Sequence, residues 1–230
     1  MSERVIPNHV GYIVDGNRRW AKQRGIPAYE GHLAGYNNLH EIAAETFELG
    51  VKYVSAYVFS TENWKRSQSE VGKLMDLVLK MLATDIPLLN KNNIKLLVVG
   101  SKENLKPKII EAIEKAEAET ANNTAGTLAL CFNYGGQIEI VDAVKKIVQS
   151  GKKADDVSVE LIESNLYKPE IPPVDLIVRT SGEQRISNFM LWRAAYSEMM
   201  FIDKMWPDLT KHDVEEIIDE YSKRSRRFGG

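Results

Sequence analysis

The sequence predicts an α/β fold whose mostly parallel sheet of about six strands is flanked by helices, and three observations carry that prediction. Apolar, β-prone runs recur at 9–14, 52–59, 94–99, 127–132 and 174–179, with a short one near 199–202. Helical patterns fill the intervals, which is the alternation of a doubly wound sheet. Most runs are continuously apolar rather than strictly alternating, as strands covered on both faces are. No repeat, low-complexity tract or Pro/Gly/Ser-rich linker interrupts the 230 residues, so 1–230 reads as one domain, long enough for a sizeable core.

The first strand run, from His9 to Val14, stops at Asp15, and a Gly-Asn-Arg-Arg turn leads on into helix formers. From Gly31 to Leu49 apolar residues recur at helical spacing, and Gly50 suits the left-handed position just past a helix end. Ser67-Gln-Ser-Glu70 has the form of a capping box and opens a long helix to about Asn90. Pro87 falls inside that helix, where its ring and missing N–H predict a kink or break in the last turn. Further helices are expected at 106–122, 136–150, 158–166 and 210–226.

Composition narrows the function classes. With 43% hydrophobic and 27% charged residues the chain has the make-up of a soluble globular protein. A formal charge of −2 and a pI near 6.1 speak against a broad basic face for nucleic acid. Cys131 is the single cysteine, so no internal disulfide forms, a reducing compartment fits, and the thiol reads as a small buried hydrophobe. No segment has the length of an apolar membrane span, and the N-terminus lacks the apolar core of a signal peptide; a cytoplasmic location is expected. The sequence holds no GxxxxGK[ST], GxGxxG, HExxH, GxSxG or paired CxxC, nor the DDxxD pairs of trans-type prenyl synthases. Nucleotide hydrolysis, hydride transfer and zinc proteolysis therefore lose their usual handles.

In doubly wound sheets ligands bind beyond the carboxyl ends of the strands. Those ends read Asp15-Gly-Asn-Arg-Arg19, Ser60-Thr-Glu-Asn-Trp-Lys-Arg66, Asn133-Tyr-Gly-Gly136 and Arg179-Thr-Ser-Gly-Glu-Gln-Arg-Ile-Ser187. Each turn alone reads as solvated surface. Four of them on one sheet edge, supplying amides, hydroxyls, acids and arginines, point to an extended site for a phosphorylated, metal-bound anion.

With these motifs the chain resembles the cis-prenyltransferases, the undecaprenyl and dehydrodolichyl diphosphate synthase group. The resemblance runs from His9-Val-Gly-Tyr-Ile-Val-Asp-Gly-Asn-Arg-Arg-Trp20 through Gly31-His32, Phe59-Ser-Thr-Glu-Asn-Trp64, Asn133-Tyr-Gly-Gly136 and Arg179 to Asn188, ending at Arg226-Arg-Phe-Gly-Gly230. It implies an enzyme that extends an allylic diphosphate with isopentenyl diphosphate, makes a Z double bond and releases pyrophosphate. It also implies Mg²⁺, a homodimer, and a hydrophobic tunnel between the sheet and the long helix. By residue, Asp15 would hold Mg²⁺ and act with Asn63 in catalysis, and Glu198 would contribute a second acid to the metal site. Gly16, Asn17, Arg18, Arg19, Trp20, His32 and Ser60 would form the allylic site, with Asn63, Trp64 and Arg66 on a loop that closes over substrate. Arg179, Arg185 and Ser187 would bind isopentenyl diphosphate, joined by Arg227 and Gly229 from the C-terminal motif of a partner protomer.

Two departures from the family pattern stand out. Ala28 occupies the place of an arginine four residues before His32, and the turn reads Asn17-Arg18-Arg19 instead of Asn-Gly-Arg. Arg18 is therefore expected to replace the missing contact. In the tunnel, Val58 narrows the passage, and Gly126, where a bulky leucine often closes the far end, is expected to lengthen it. Val71, Leu74, Met75, Val78, Leu79 and Leu82 line the long helix at helical spacing. Ala28 leaves open a relative that uses another acceptor or couples units irregularly. A non-catalytic partner subunit fits less well, because Asp15, Arg19, Arg179, Arg185 and Glu198 are all present. A lipid-soluble product is compatible with transient membrane contact.

Overall fold

The computed structural model describes residues 4–224. Its six strands are β1 (His9–Ile13), β2 (Tyr53–Ser60), β3 (Ile94–Val99), β4 (Gly126–Tyr134), β5 (Leu176–Arg179) and β6 (Glu198–Phe201). They form one sheet in the order β3-β4-β2-β1-β5-β6, and every pairing is parallel. From β1 the chain steps to β2 on one side, whereas from β5 it steps to β6 on the other. The ends of β1 and β5 are therefore neighbours whose connections diverge, which opens a crevice between them.

Among the described residues eight α-helices pack around this sheet: α1 (Asn17–Gln23), α2 (Ala28–Glu48), α3 (Gln68–Thr84), α4 (Ile86–Lys91), α5 (Pro107–Thr120), α6 (Gly136–Gln149), α7 (Val159–Asn165) and α8 (Lys211–Lys223). One face of the sheet gives Val10, Tyr12, Val54, Ala56, Leu130 and Val178 to a core shared with α2, α3, α5 and α8. The other gives Tyr57, Leu97, Val99, Ala129, Cys131 and Ile177 to a smaller core with Phe189 and Met190. The expected break in the long helix occurs at Asp85, between α3 and α4, with Pro87 in the first turn of the new helix. Gly50 has φ +100° just past α2, as its closing role requires. A turn of 3₁₀ helix over Thr61–Lys65 and another over Trp206–Asp208 were not legible in the hydrophobic pattern, because neither is long enough to show a period.

The capping box at the start of α3 is only half made. Ser67 accepts from the Glu70 amide at 3.3 Å, but the Glu70 carboxylate lies 3.1 Å from Arg66. In β2 the register slips against β4 on either side of Phe59, so Val58 and Phe59 both face the larger core. That bulge turns the chain after Ser60 across the strand ends.

His9 at the start of β1 is fully buried, with Nε2 2.7 Å from the Ser55 hydroxyl and Nδ1 2.9 Å from the Pro172 carbonyl. Burial lowers its pKa from 6.5 to about 4. The folded protein binds this proton less tightly than the unfolded chain. The stability it contributes is therefore complete above pH about 6.5 and fades as pH falls, with a limit of about 3 kcal/mol reached below about pH 4. Urea unfolding across that window is expected to show the loss, and His9→Gln is expected to flatten it.

Candidate active site

Asp15 and Arg179 meet in the crevice between β1 and β5. Arg179 ends β5 in register with Ile13, which brings its guanidinium to the residue that follows β1. Its Nη2 donates to Asp15 Oδ2 at 2.9 Å, and its Nη1 donates to the Ser187 hydroxyl at 2.7 Å and to the Arg185 carbonyl at 2.5 Å. The Arg179 side chain is only 5% exposed while Asp15 is 30% exposed, so the pair presents its carboxylate to the crevice. Thr180 fixes the corner: its hydroxyl donates to the Asp15 carbonyl at 2.7 Å and lies 3.0 Å from the Asp15 amide. Arg19 reaches the same carboxylate at 3.6 Å, hydrogen-bonds to Ser181 and pairs with Glu183 at 3.2 Å. The side chain of Arg185 turns to Glu183 at 2.5 Å, and this pairing holds the Glu183 carboxyl below its ordinary pKa.

Beside this corner Asp15, Gly16, Asn17, Arg18, Arg19, Lys22, Ala28, His32 and Arg66 surround a cavity of about 720 Å³. Close approach of α1 to α2 shapes it. A Cβ on Gly31 would lie 2.1 Å from the Asn17 carbonyl oxygen, and one on Gly35 would lie 2.4 Å from Asn17 Oδ1. Gly16, at φ +106°, abuts Ser181 and Met205 and gives the chain its left-handed turn into α1. Buried side-chain polar atoms are ordinarily paired. Among the described residues the exceptions are Asn17 Oδ1, His32 Nε2 and Arg179 Nε, all in this site. Burial, with Arg66 next in importance, lowers the pKa of His32.

The loop after β2 is organised from within. Ser60 and Asn63 cap each other across the Thr61–Lys65 turn, with the Ser60 amide donating to Asn63 Oδ1 at 3.1 Å. Trp64 packs edge-on against Phe59, and its indole N–H donates to Asn133 Oδ1 at 2.7 Å. Deeper in, Val14, Asn17 and His32 of the cradle also line a neck of about 50 Å³ with Tyr36, Val58, Leu74 and Met81. Leu39 and Met81 line both this neck and an apolar chamber of about 370 Å³ between α2, the α3–α4 break and strands β3 and β4. The expected tunnel is thus a polar pole, a neck narrowed by Val58 and a chamber. Gly126 does not lengthen it. Phe47 of α2 lies so close that a Cβ on Gly126 would come within 2.7 Å of its ring, so the ring takes up the space that the glycine leaves.

Other expected site residues lie elsewhere. Trp20 turns away from the cradle, donating to Asp208 at 2.7 Å and stacking under Arg24. Glu198 begins β6 opposite Leu176, whereas Asp15 lies at the other end of the sheet, so one chain does not bring the two acids together. Instead Glu198 pairs with Arg224 at 3.0 Å. Arg227 and Gly229 lie outside the described residues. Sequence reading missed Lys22, Glu70, Thr180, Ser181, Glu183 and Trp206. Lys22 follows Arg18 by four residues on α1, a spacing that places both on one helix face. Trp206 is fully buried, its amide donating to the Asp15 carbonyl at 3.0 Å and its indole to the Gly35 carbonyl at 2.8 Å.

A cation-rich pole joined through a neck to an apolar chamber, at the switch point of a parallel sheet, defines a transferase that handles amphiphilic diphosphates. Residues 13–229 match the family model described as "Putative undecaprenyl diphosphate synthase". The chain belongs to this family, the cis-prenyltransferases, and is a prenyl-transferring enzyme. It is 47% identical to an isoprenyl transferase of Thermotoga maritima over 228 residues, covering 98% of this chain and 97% of the relative. A Fusobacterium nucleatum isoprenyl transferase is 46% identical, with 99% and 98% covered. Among solved structures, lavandulyl diphosphate synthase from Lavandula x intermedia, in complex with dimethylallyl diphosphate, superposes with a TM-score of 0.94 at 35% identity, covering 99% of this chain and 100% of that one. A probable undecaprenyl diphosphate synthase from Campylobacter jejuni gives 0.83 at 30% identity, with both chains fully covered.

Gly35→Ala is expected to push Asn17 out of the cradle. Affinity for inorganic pyrophosphate, measured by calorimetry, is expected to fall about tenfold or more, because a displacement of this kind removes charge-assisted contacts.

Proposed function

We propose that the protein condenses isopentenyl diphosphate with an allylic diphosphate at the β1–β5 crevice, forming a cis-polyprenyl diphosphate and releasing pyrophosphate. The observation behind the assignment of sites is that the three unpartnered buried polar atoms among the described residues belong to Arg179 beside Asp15 and to Asn17 and His32, which line both the cradle and the neck. Asn17, Arg18, Arg19, His32 and Arg66 bind the allylic diphosphate, with its hydrocarbon in the neck and chamber. Lys22 and Arg18 together cover the place opposite Ala28. Arg179 and Ser187, with Arg185 released from Glu183, bind the isopentenyl diphosphate. Their position beside Asp15 holds the two diphosphates next to each other, and positioning alone removes much of the barrier to joining them.

The described residues contain no group of three His, Cys, Asp or Glu side chains placed to share a metal. The half-buried Asp15 carboxylate nevertheless suits Mg²⁺, which keeps waters and substrate phosphate oxygens among its ligands and takes few protein carboxylates. Asp15 would hold it, and the ion would neutralise charge that builds on the departing pyrophosphate. Arg18 and Arg19 supply the protein's own share of that neutralisation, and His32, whose pKa burial lowers, adds a hydrogen bond. Asn63, locked into its reciprocal cap with Ser60, positions the loop over the site.

Helix α6 leaves Val141, Val144 and Val148 exposed on one face, Val148 at 68%. A second copy of the chain covering this stripe agrees with the homodimer that the family resemblance implies. No described helix is long and apolar enough to cross a membrane, so contact with lipid is peripheral in this reading. A second reading, irregular coupling, is favoured by Ala28 in the cradle wall.

Labelled isopentenyl diphosphate, Mg²⁺ and a panel of allylic diphosphates are expected to give chain-extended products; no incorporation with any primer would overturn the assignment. Product from dimethylallyl diphosphate alone would decide for irregular coupling. Asp15→Asn is expected to lower turnover by about two orders of magnitude or more. Arg18→Ala is expected to raise the Michaelis constant of the allylic substrate and leave that of isopentenyl diphosphate unchanged. An apolar cavity of about 150 Å³ holds one benzene molecule. By that yardstick the chamber takes only a few five-carbon units before it meets Phe47. Phe47→Ala is expected to shift the products, sized by chromatography, to longer chains.

A further inference from the structure

Glu70 stands in the first turn of α3 with its carboxylate turned away from the helix cap. One oxygen, Oε1, lies 3.1 Å from Arg66, 3.7 Å from Arg18 and 3.7 Å from His32 Nε2. The first distance is a hydrogen bond and the other two are ionic approaches without one. These three groups come from three different elements: the segment after β2, helix α1 and helix α2. All three line the diphosphate cradle, whereas Glu70 itself stands behind its rim. Asp15, Arg19 and Lys22 are the other charged groups around this cavity, and Asp15 is already held by Arg179 and Arg19. His32 Nε2 remains unpartnered although a carboxylate is close by, so the pole is not closed by its own acid.

We propose that Glu70 is a built-in counter-anion which holds Arg18 and Arg66 in place of a diphosphate and competes with it for them. The inference rests on the allylic diphosphate occupying this cradle. A bound diphosphate draws the two arginines and His32 toward its own oxygens, and Glu70 takes the arginines back when pyrophosphate leaves. The acid thereby weakens ground-state binding and hastens release. It also keeps the segment carrying Trp64 and Arg66 tied to α3 between turnovers. Arg18 is 59% exposed and Arg66 27% exposed, so each guanidinium can swing without unfolding its element.

Glu70→Gln keeps the size of the side chain and removes its charge. If Glu70 competes, this variant binds inorganic pyrophosphate about three- to tenfold tighter in calorimetry, since each exposed pair contributes modestly. It also shows a lower allylic Michaelis constant, a lower kcat and an unchanged isopentenyl diphosphate Michaelis constant. If Glu70 merely positions the arginines, pyrophosphate binding weakens, and that result overturns the proposal. A changed Michaelis constant for isopentenyl diphosphate also overturns it, because the effect is then not confined to this pole. Failure of the unmodified protein to bind pyrophosphate would instead remove the cradle assignment on which the inference stands. Glu70→Asp, whose shorter acid keeps the charge but loosens the pairs, is expected to bind pyrophosphate with intermediate affinity; binding tighter than Glu70→Gln would count against competition.

Discussion

Arg179 carries a guanidinium almost wholly inside the protein at the end of β5, and a cation there persists only where fixed acceptors surround it. Asp15 supplies the charge, while Ser187 and the Arg185 carbonyl supply the remaining oxygens. The rest of the site follows from this pair. The Asp15 backbone is held by Thr180 and by the Trp206 amide, so the first residues beyond β1 cannot drift. Arg185 and Ser187 are folded back over β5, and this sets the second anion site beside the first. Arg179 still has one unpartnered N–H, so the pair fixes the geometry without using all the donors around it.

Depth is set by backbone contact on the other side of the cradle. Gly31 and Gly35 let α2 press against Asn17, and the Trp206 indole holds that turn of α2 through the Gly35 carbonyl. Asn17 and His32 consequently stand at one fixed place where the polar pole ends and the apolar neck begins. A ligand with a charged head and a hydrocarbon tail finds both environments along one line.

The sheet was legible in the sequence because its strands are buried on both faces and therefore appear as unbroken apolar runs. Pro87 located the helix break because its geometry cannot be absorbed. The strand-end motifs located Asp15, Arg179 and the glycine turns. What the sequence hid were relations between distant segments. Nothing around Gly126 reveals that Phe47 lies over it, since the two residues belong to different elements. Ser67-Gln-Ser-Glu70 reads as a capping box, yet the neighbouring arginine takes the carboxylate, a competition that pattern alone cannot rank. Trp20 lies inside a motif segment and Glu198 follows one, but helix phase turns the first to Asp208 and strand register puts the second at the far end of β6.

Neck and cradle share Val14, Asn17 and His32, and this has a consequence for chain growth. A passage of about 50 Å³ is small beside the roughly 150 Å³ that holds one benzene molecule, so its walls govern how a tail reaches the chamber. Of those walls, β1 and β2 are fixed by ladder hydrogen bonds on both sides, and α2 is fixed by its contact with α1. The α3 wall is different. It ends at Asp85, and its N-terminus is joined to the cradle through Glu70 and the Arg66 segment. The helix that supplies Leu74, Leu77, Val78 and Met81 to the neck is thus the one tied to the diphosphate pole, so pole and neck share a single structural element.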